Sequence, residues 1–223
     1  MLVFTRRAAR AGFTLIEMVI AIGIFGALIG FATMIGDASR GAYGQATSAS
    51  VLNAQAKLNL DRIAMEMQVA SIATFDPALE TGIVNTSSLT FQQLVDINAG
   101  VPVYGGPLPG ELMSLELMLD DGEAADGMDN DSDGLIDEQQ LVLTRNVGSA
   151  DEVAITICGN VREFLEGELP GGGDENGNGL TDEAGFDIER NGDVLTLRLS
   201  LEGVNSRGEV LVRTVETAIR LRN

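Results

Sequence analysis

The chain has 223 residues, which fits one globular domain with an appendage and leaves too little material for two full domains. Its hydrophobic fraction is 45% but aromatics make up only 4%, with no Trp, so a core must be built from Leu, Val, Ile, Ala and Met. The absence of His and the single Cys158 exclude an intrachain disulfide, a Cys/His zinc cluster and a nucleophile–histidine pair, and a net charge of −19 repels nucleic-acid phosphates. Cys158 sits in the apolar run VAITIC and reads as a small buried hydrophobe.

Residues 1–12, MLVFTRRAARAG, form a basic stretch ending in Gly12, and residues 13–36 are apolar except for Thr14, Glu17 and Thr33. At about 1.5 Å per residue, this span reaches about 36 Å, enough to cross a hydrocarbon core about 30 Å thick with some tilt. Arg6, Arg7 and Arg10 precede it and Asp37 follows, so the positive-inside rule puts the N-terminus in the cytoplasm and the rest outside. A secretory signal carries its small-residue cleavage site after the apolar region, whereas Gly12 comes before it, so cleavage there leaves the anchor attached. Loss of the three arginines takes the net charge from −19 to −22 before termini are counted.

Gly12, Phe13, Thr14, Leu15, Ile16 and Glu17 spell GFTLIE between the basic stretch and the apolar span. In this the sequence resembles type IV pilin-like prepilins and pseudopilins. The resemblance implies cleavage between Gly12 and Phe13 by a prepilin peptidase and N-methylation of Phe13. It also implies a single-pass protein of the bacterial inner membrane with a periplasmic or extracellular head, which enters a filament with other pilins or pseudopilins. The run AIGIFGAL looks like the J-type minor pseudopilins of type II secretion.

A carboxylate inside a membrane helix costs roughly 2.5–3.5 kcal/mol and needs a cationic or donor partner. The span contains no Lys or Arg, but cleavage at Gly12 creates an amine on Phe13, four residues from Glu17 or supplied by a neighbouring subunit. In the family this glutamate is held to neutralise the N-terminal amine of an adjacent subunit during assembly. A glutamate snorkelling to the membrane interface is the competing reading. Gly26 and Gly30 have the spacing of close helix contacts, although glycine is also common in membrane helices.

Beyond Asp37, apolar residues recur at Leu52, Ala56, Leu60, Ile63, Met67 and Ala70, the steps of an amphipathic helix. The spacing predicts a helical stalk over 37–75, with a possible bend near Gly36, Gly41 and Gly44 and an end before Pro77. Over 76–223 the period becomes two: Leu115, Leu117 and Leu119; Val153, Ile155 and Ile157; Leu195, Leu197, Leu199 and Leu201. VNSRGE at 204–209 separates the last of these from a strand carrying Val215, Thr217, Ile219 and Leu221, a C-terminal hairpin. The expected class is α+β, an antiparallel β-rich head on a long N-terminal helix as in pilins.

Residues 126–138, DGMDNDSDGLIDE, and 174–183, DENGNGLTDE, share the pattern D-x-[DN]-x-[DN]-G-L-x-D-E. Oxygen side chains at positions 1, 3, 5 and 9, a glycine at 6 and a backbone carbonyl at 7 match the first nine positions of an EF-hand calcium loop. The candidate Ca2+ ligands are Asp129, Asp131, Asp133, the Leu135 carbonyl and Asp137, then Asp174, Asn176, Asn178, the Leu180 carbonyl and Asp182. Position 12 is Gln140 in one and Gly185 in the other in place of the usual Glu, so Glu138 and Glu183 are the available substitutes. Solvated turns of Asp, Asn and Gly are the unmetallated alternative. Hard oxygen donors without His favour calcium over zinc or copper.

Together these features point to a structural subunit, a minor pseudopilin or pilin, of a type II secretion pseudopilus or type IV pilus-like filament. A membrane-tethered calcium-dependent adhesin or ligand-binding module is the alternative. An enzyme is not expected, because the acids lie in glycine-rich loops with no histidine and few aromatics to hold a sugar.

Overall fold

The computed structural model describes residues 12–70, 74–76, 82–84, 88–98, 101–104, 112–177, 179 and 181–221. The chain divides into two units, Met1–Gly44 and Gln45–Asn223. The expected leader lies outside the described residues apart from Gly12, and so does Pro77.

Helix α1 spans Leu15–Gln68 and belongs to both units. Gly36, Gly41 and Gly44 all lie within it. In the first unit every residue from Gly12 to Ile35 is exposed, including Phe25, Leu28, Ile29 and Phe31. A helix that is apolar all round is stable only where something apolar surrounds it, and this one is long and apolar enough to cross a membrane. Its one hydroxyl deep in the span is satisfied locally, since Thr33 Oγ1 donates to the Gly30 carbonyl at 2.9 Å.

In the second unit the same helix is one-sided. Leu52, Ala56, Leu60, Ile63, Ala64 and Met67 are buried, whereas Val51, Leu58 and Met65 face solvent. Burying each of the large members stabilises the unit by about 1.5–3 kcal/mol. The helix ends at Gln68, short of the expected boundary at 75, because the chain switches partners. Ala70 forms an antiparallel bridge with Gln93, and Gln93 Nε2 donates to the Glu66 carbonyl at 3.0 Å, one of the terminal carbonyls that lack a partner in the helix.

The strands are β1 (Gly82–Val84), β2 (Ser88–Gln92), β3 (Leu94–Asn98), β4 (Val101–Tyr104), β5 (Leu112–Leu119), β6 (Gln139–Arg145), β7 (Val153–Val161), β8 (Phe186–Asn191), β9 (Val194–Val204) and β10 (Val210–Arg220). An eight-stranded antiparallel sheet runs β1-β8-β9-β7-β6-β5-β2, with β10 on the other edge of β9, while β3 and β4 form a separate pair. The fold is α+β: the helix half packs on the antiparallel sheet. Leu195, Leu197, Leu199 and Leu201 of β9 point alternately into the core with Ile188, Phe186 and the helix residues.

The period-two pattern breaks in β7, where neighbours Ile157 and Cys158 are both buried. Cys158 pairs with Leu141 and Thr156 with Val142, so Ile157 is the extra residue of a bulge that turns two consecutive side chains inward. The expected hairpin is present as β9 and β10, closed by Asn205, whose amide donates to the Glu209 carbonyl at 3.0 Å.

Candidate functional site

The loop from Asp120 to Glu138 joins β5 to β6 and is organised by carboxylates that hold its own backbone. Asp129 Oδ1 accepts from the Ser132 amide at 2.6 Å and Oδ2 from the Gly134 amide at 3.0 Å. Asp131 Oδ1 accepts from the Asp133 amide at 3.0 Å, and Asp133 Oδ1 from the Leu135 amide at 2.9 Å. Each of these last two is an Asx turn, in which the side chain curls the chain two residues on. Gly134 has φ +94°, and a Cβ there would sit 3.1 Å from Val204, so position 6 of the pattern needs glycine for both conformation and space.

One carboxylate oxygen each from Asp131, Asp133 and Glu138 lie within 4.8 Å of one another, as do oxygens from Glu123, Asp129 and Asp131. Glu138 differs from the others in being buried, at 1% exposure, and its Oε2 accepts no hydrogen bond among the described residues. Burial first, and then the charges of Asp133, Glu123 and Asp131, push its carboxyl up to about 7. Asp137 faces the other way: Oδ1 accepts from the Asp126 and Gly127 amides at 3.1 Å, and Oδ2 from the Gly127 amide at 2.9 Å.

The second loop repeats this bonding. Equivalent residues are 45 positions apart, 129 to 174 for instance. Asp174 Oδ1 and Oδ2 accept from the Gly177 and Gly179 amides at 2.7 and 2.9 Å, and Asp182 Oδ1 accepts from Gly171 and Gly172, both at 3.1 Å. Glu183, at 0% exposure, occupies the place of Glu138. Asn176 Nδ2 and Oδ1 replace the carboxylate of Asp131; Asn178 and Leu180 lie outside the described residues.

The repeat begins upstream of the pattern read from sequence. Glu123 Oε1 accepts from the Asn130 and Asp131 amides at 2.9 and 3.0 Å and Oε2 from the Asp137 amide at 3.2 Å. Glu168 does the same for Asn176 and Asp182, at 3.1 and 3.3 Å. Both glutamates follow a glycine, Gly122 or Gly167, and comparing the two stretches at a spacing of 45 would have revealed this Gly-Glu pair.

At the other end of the chain, Thr14 and Glu17 form a reciprocal cap on α1. Glu17 Oε2 accepts from the Thr14 amide and from Thr14 Oγ1, both at 2.9 Å, and the Glu17 amide donates to Thr14 Oγ1 at 3.3 Å. This is the T-x-x-E capping box, and it gives Glu17 a donor within its own chain. The family model for the prokaryotic N-terminal methylation motif matches residues 7–33, the stretch that contains this box and most of the apolar helix. Over this stretch the chain is similar to type IV pilin-like proteins. The match does not extend to a J-type subtype, and no curated protein and no solved structure matches the chain.

Two further groups in the head bear on chemistry. Cys158 is buried, and desolvation pushes its thiol up to about 12, which leaves it inert. Arg198 gathers Asp187 at 3.2 Å, Glu189 at 2.6 Å and Glu216 at 3.7 Å across three neighbouring strands, a pairing that depends on strand register and has no sequence signature.

Proposed function

We propose that this chain is a structural subunit, a minor pseudopilin or pilin, that assembles through its N-terminal helix into a type II secretion pseudopilus or type IV pilus-like filament. The observation that supports it is the GFTLIE motif at the head of a helix whose apolar side chains, from Phe13 to Ile35, are exposed on every face. In this reading a prepilin peptidase cuts after Gly12, Phe13 becomes the methylated N-terminus, and the helix anchors the protein in the inner membrane with the head in the periplasm. Other pilins or pseudopilins then replace lipid around the apolar surface. Close helix packing would use Gly26 and Gly30. The narrower J-type assignment rests on the run AIGIFGAL alone.

Glu17 has two separable roles in this scheme: its oxygen caps the helix, and its charge meets the amine of an adjacent subunit. Glu17→Gln keeps a capping-box acceptor but removes the charge, whereas Glu17→Ala removes both. Both variants should reach the membrane and be processed to begin at Phe13, as intact mass reports, while cross-linking to partner pilins is lost in both. A mature N-terminus at Met1, or one created after residue 30, defeats the prepilin reading. Normal cross-linking of Glu17→Gln would reduce Glu17 to a helix cap.

A further inference from the structure

We propose that the chain binds one calcium ion in the first acidic loop, where Asp131, Asp133 and Glu138 form the carboxylate core of the site. Acids on an exposed loop do not by themselves make a site, and the deciding residue is Glu138. It is buried, one of its oxygens accepts no hydrogen bond among the described residues, and a carboxylate oxygen of it lies within 4.8 Å of those of Asp131 and Asp133. A buried carboxylate oxygen with no donor is costly, and a cation among converging oxygens removes that cost.

The hydrogen bonds decide which oxygens are free for a cation. Glu123 and Asp137 are engaged by backbone amides at both oxygens, so they shape the loop. Asp131 and Asp133 each give one oxygen, Oδ1, to an Asx turn and retain the other. Asp133 Oδ2 receives only a long contact from Asn160 Nδ2, at 3.4 Å. Asp129, like Glu123 and Asp137, is engaged at both oxygens, by the Ser132 and Gly134 amides, and the Leu135 carbonyl adds an oxygen from position 7 of the pattern.

Glu138 takes over from the position-12 glutamate because neither loop can use that position. Gln140 is tied to the Thr156 hydroxyl at 2.9 Å and to the Leu119 carbonyl at 3.2 Å. At Gly185 a Cβ would fall 1.7 Å from the Arg162 carbonyl oxygen. Glu138 ends its loop just before a sheet strand, so a bound ion would fasten the loop to the entry of β6.

The second loop is not a like site, because Asn176 and Asn178 stand where the first has Asp131 and Asp133, and calcium affinity follows the charge of its ligands. Irregular all-oxygen loops also suit calcium better than magnesium, which demands a tight octahedron.

The test uses the full chain in detergent, stripped with chelator and titrated with calcium chloride in a calorimeter, with melting followed in parallel. One binding step is expected, and saturating calcium should raise the melting temperature by roughly 5 °C or more. Glu138→Gln should weaken that step by at least about tenfold without lowering the melting temperature in chelator, because a neutral amide replaces a buried charge. Asp131→Asn with Asp133→Asn keeps the Asx-turn acceptors on two exposed residues and should abolish the same step, which guards against a folding artefact of the buried variant. The proposal is overturned by an identical melting temperature in calcium and chelator with no heat of binding, by an equal response to magnesium, or by unchanged calcium affinity in both variants.

Discussion

The two acidic loops share one backbone design but carry different charge. Glu123 and Glu168 latch their amides, Asp129 and Asp174 fold the turn, Asp137 and Asp182 clamp the loop start, and Glu138 and Glu183 enter the core. Between these fixed points, Asp131 and Asp133 of the first loop become Asn176 and Asn178 in the second. The acids that latch, fold and clamp the loops keep a carboxylate in both, whereas the two that change, Asp131 and Asp133, each give only one oxygen to an Asx turn. The comparison thus separates the part of an acidic loop that folds it from the part that tunes it.

The sharpest structural difference between the loops is at position 12. Gly185 sits against the Arg162 carbonyl, and its own backbone is fixed by its amide bond to the Glu163 carbonyl at 3.0 Å and by the Ser200 amide at 2.7 Å. Gly185→Ala has no room to relax and should cost more than about 3 kcal/mol, enough to lower the yield of folded protein. Gln140→Ala, its counterpart, loses one hydroxyl bond and one carbonyl bond and should cost about 1 kcal/mol. Chemical denaturation of both variants measures the gap, and equal costs would show that the two positions are not structurally distinct.

A second difference lies just downstream. The strand after the first loop carries Val142 where the strand after the second carries Asp187, and both are buried. Burial pushes the Asp187 carboxyl from 3.8 up to about 6, with the Arg198 guanidinium working against the shift and the Glu183 charge adding to it. The folded state therefore holds this proton more tightly than the unfolded state. The stability it contributes is full below about pH 4 and is lost as pH rises towards about 6, a loss of up to about 3 kcal/mol. In chelator, Asp187→Asn should flatten the stability profile across that window relative to the native chain; an unchanged slope would assign the pH dependence to other acids.

How much of this was legible in the sequence depended on whether a feature is local. GFTLIE, the apolar span, the helix face Leu52 to Met67 and the leucines of β9 repeat at periods set by one element's geometry, and each is found where its pattern puts it. The capping role of Thr14 was equally local, a T-x-x-E spacing overshadowed by the membrane cost of Glu17. The end of α1 at Gln68 was not legible, because it depends on a bridge to Gln93. The same holds for the burial of Glu138 and Glu183: the sequence offers them as substitutes for position 12, but only the core behind them distinguishes them from the exposed acids nearby. Arg198 and its three acids meet through register across β8, β9 and β10, which no single stretch encodes.

The latching glutamates give the smallest and most discriminating contrast. An amide in place of either carboxylate must direct an NH2 at a backbone donor, because both oxygens already accept from amides. The resulting mismatch costs about 1–3 kcal/mol, and more where water cannot compensate. Glu168 is buried at 1% exposure whereas Glu123 is only half-buried, so Glu168→Gln should cost about 1 kcal/mol more than Glu123→Gln, a difference of roughly 2–4 °C in melting temperature. Charge acts in the same direction: removing one acid relieves more repulsion in the first loop, where Asp131 and Asp133 stand in place of Asn176 and Asn178, which offsets part of the Glu123→Gln penalty in chelator. Calcium would cancel that relief by neutralising the loop, so the gap between the variants should narrow when the ion is added. A gap that is the same in calcium and in chelator would make burial alone responsible, and a larger loss in Glu123→Gln would show that the two latches are not equivalent.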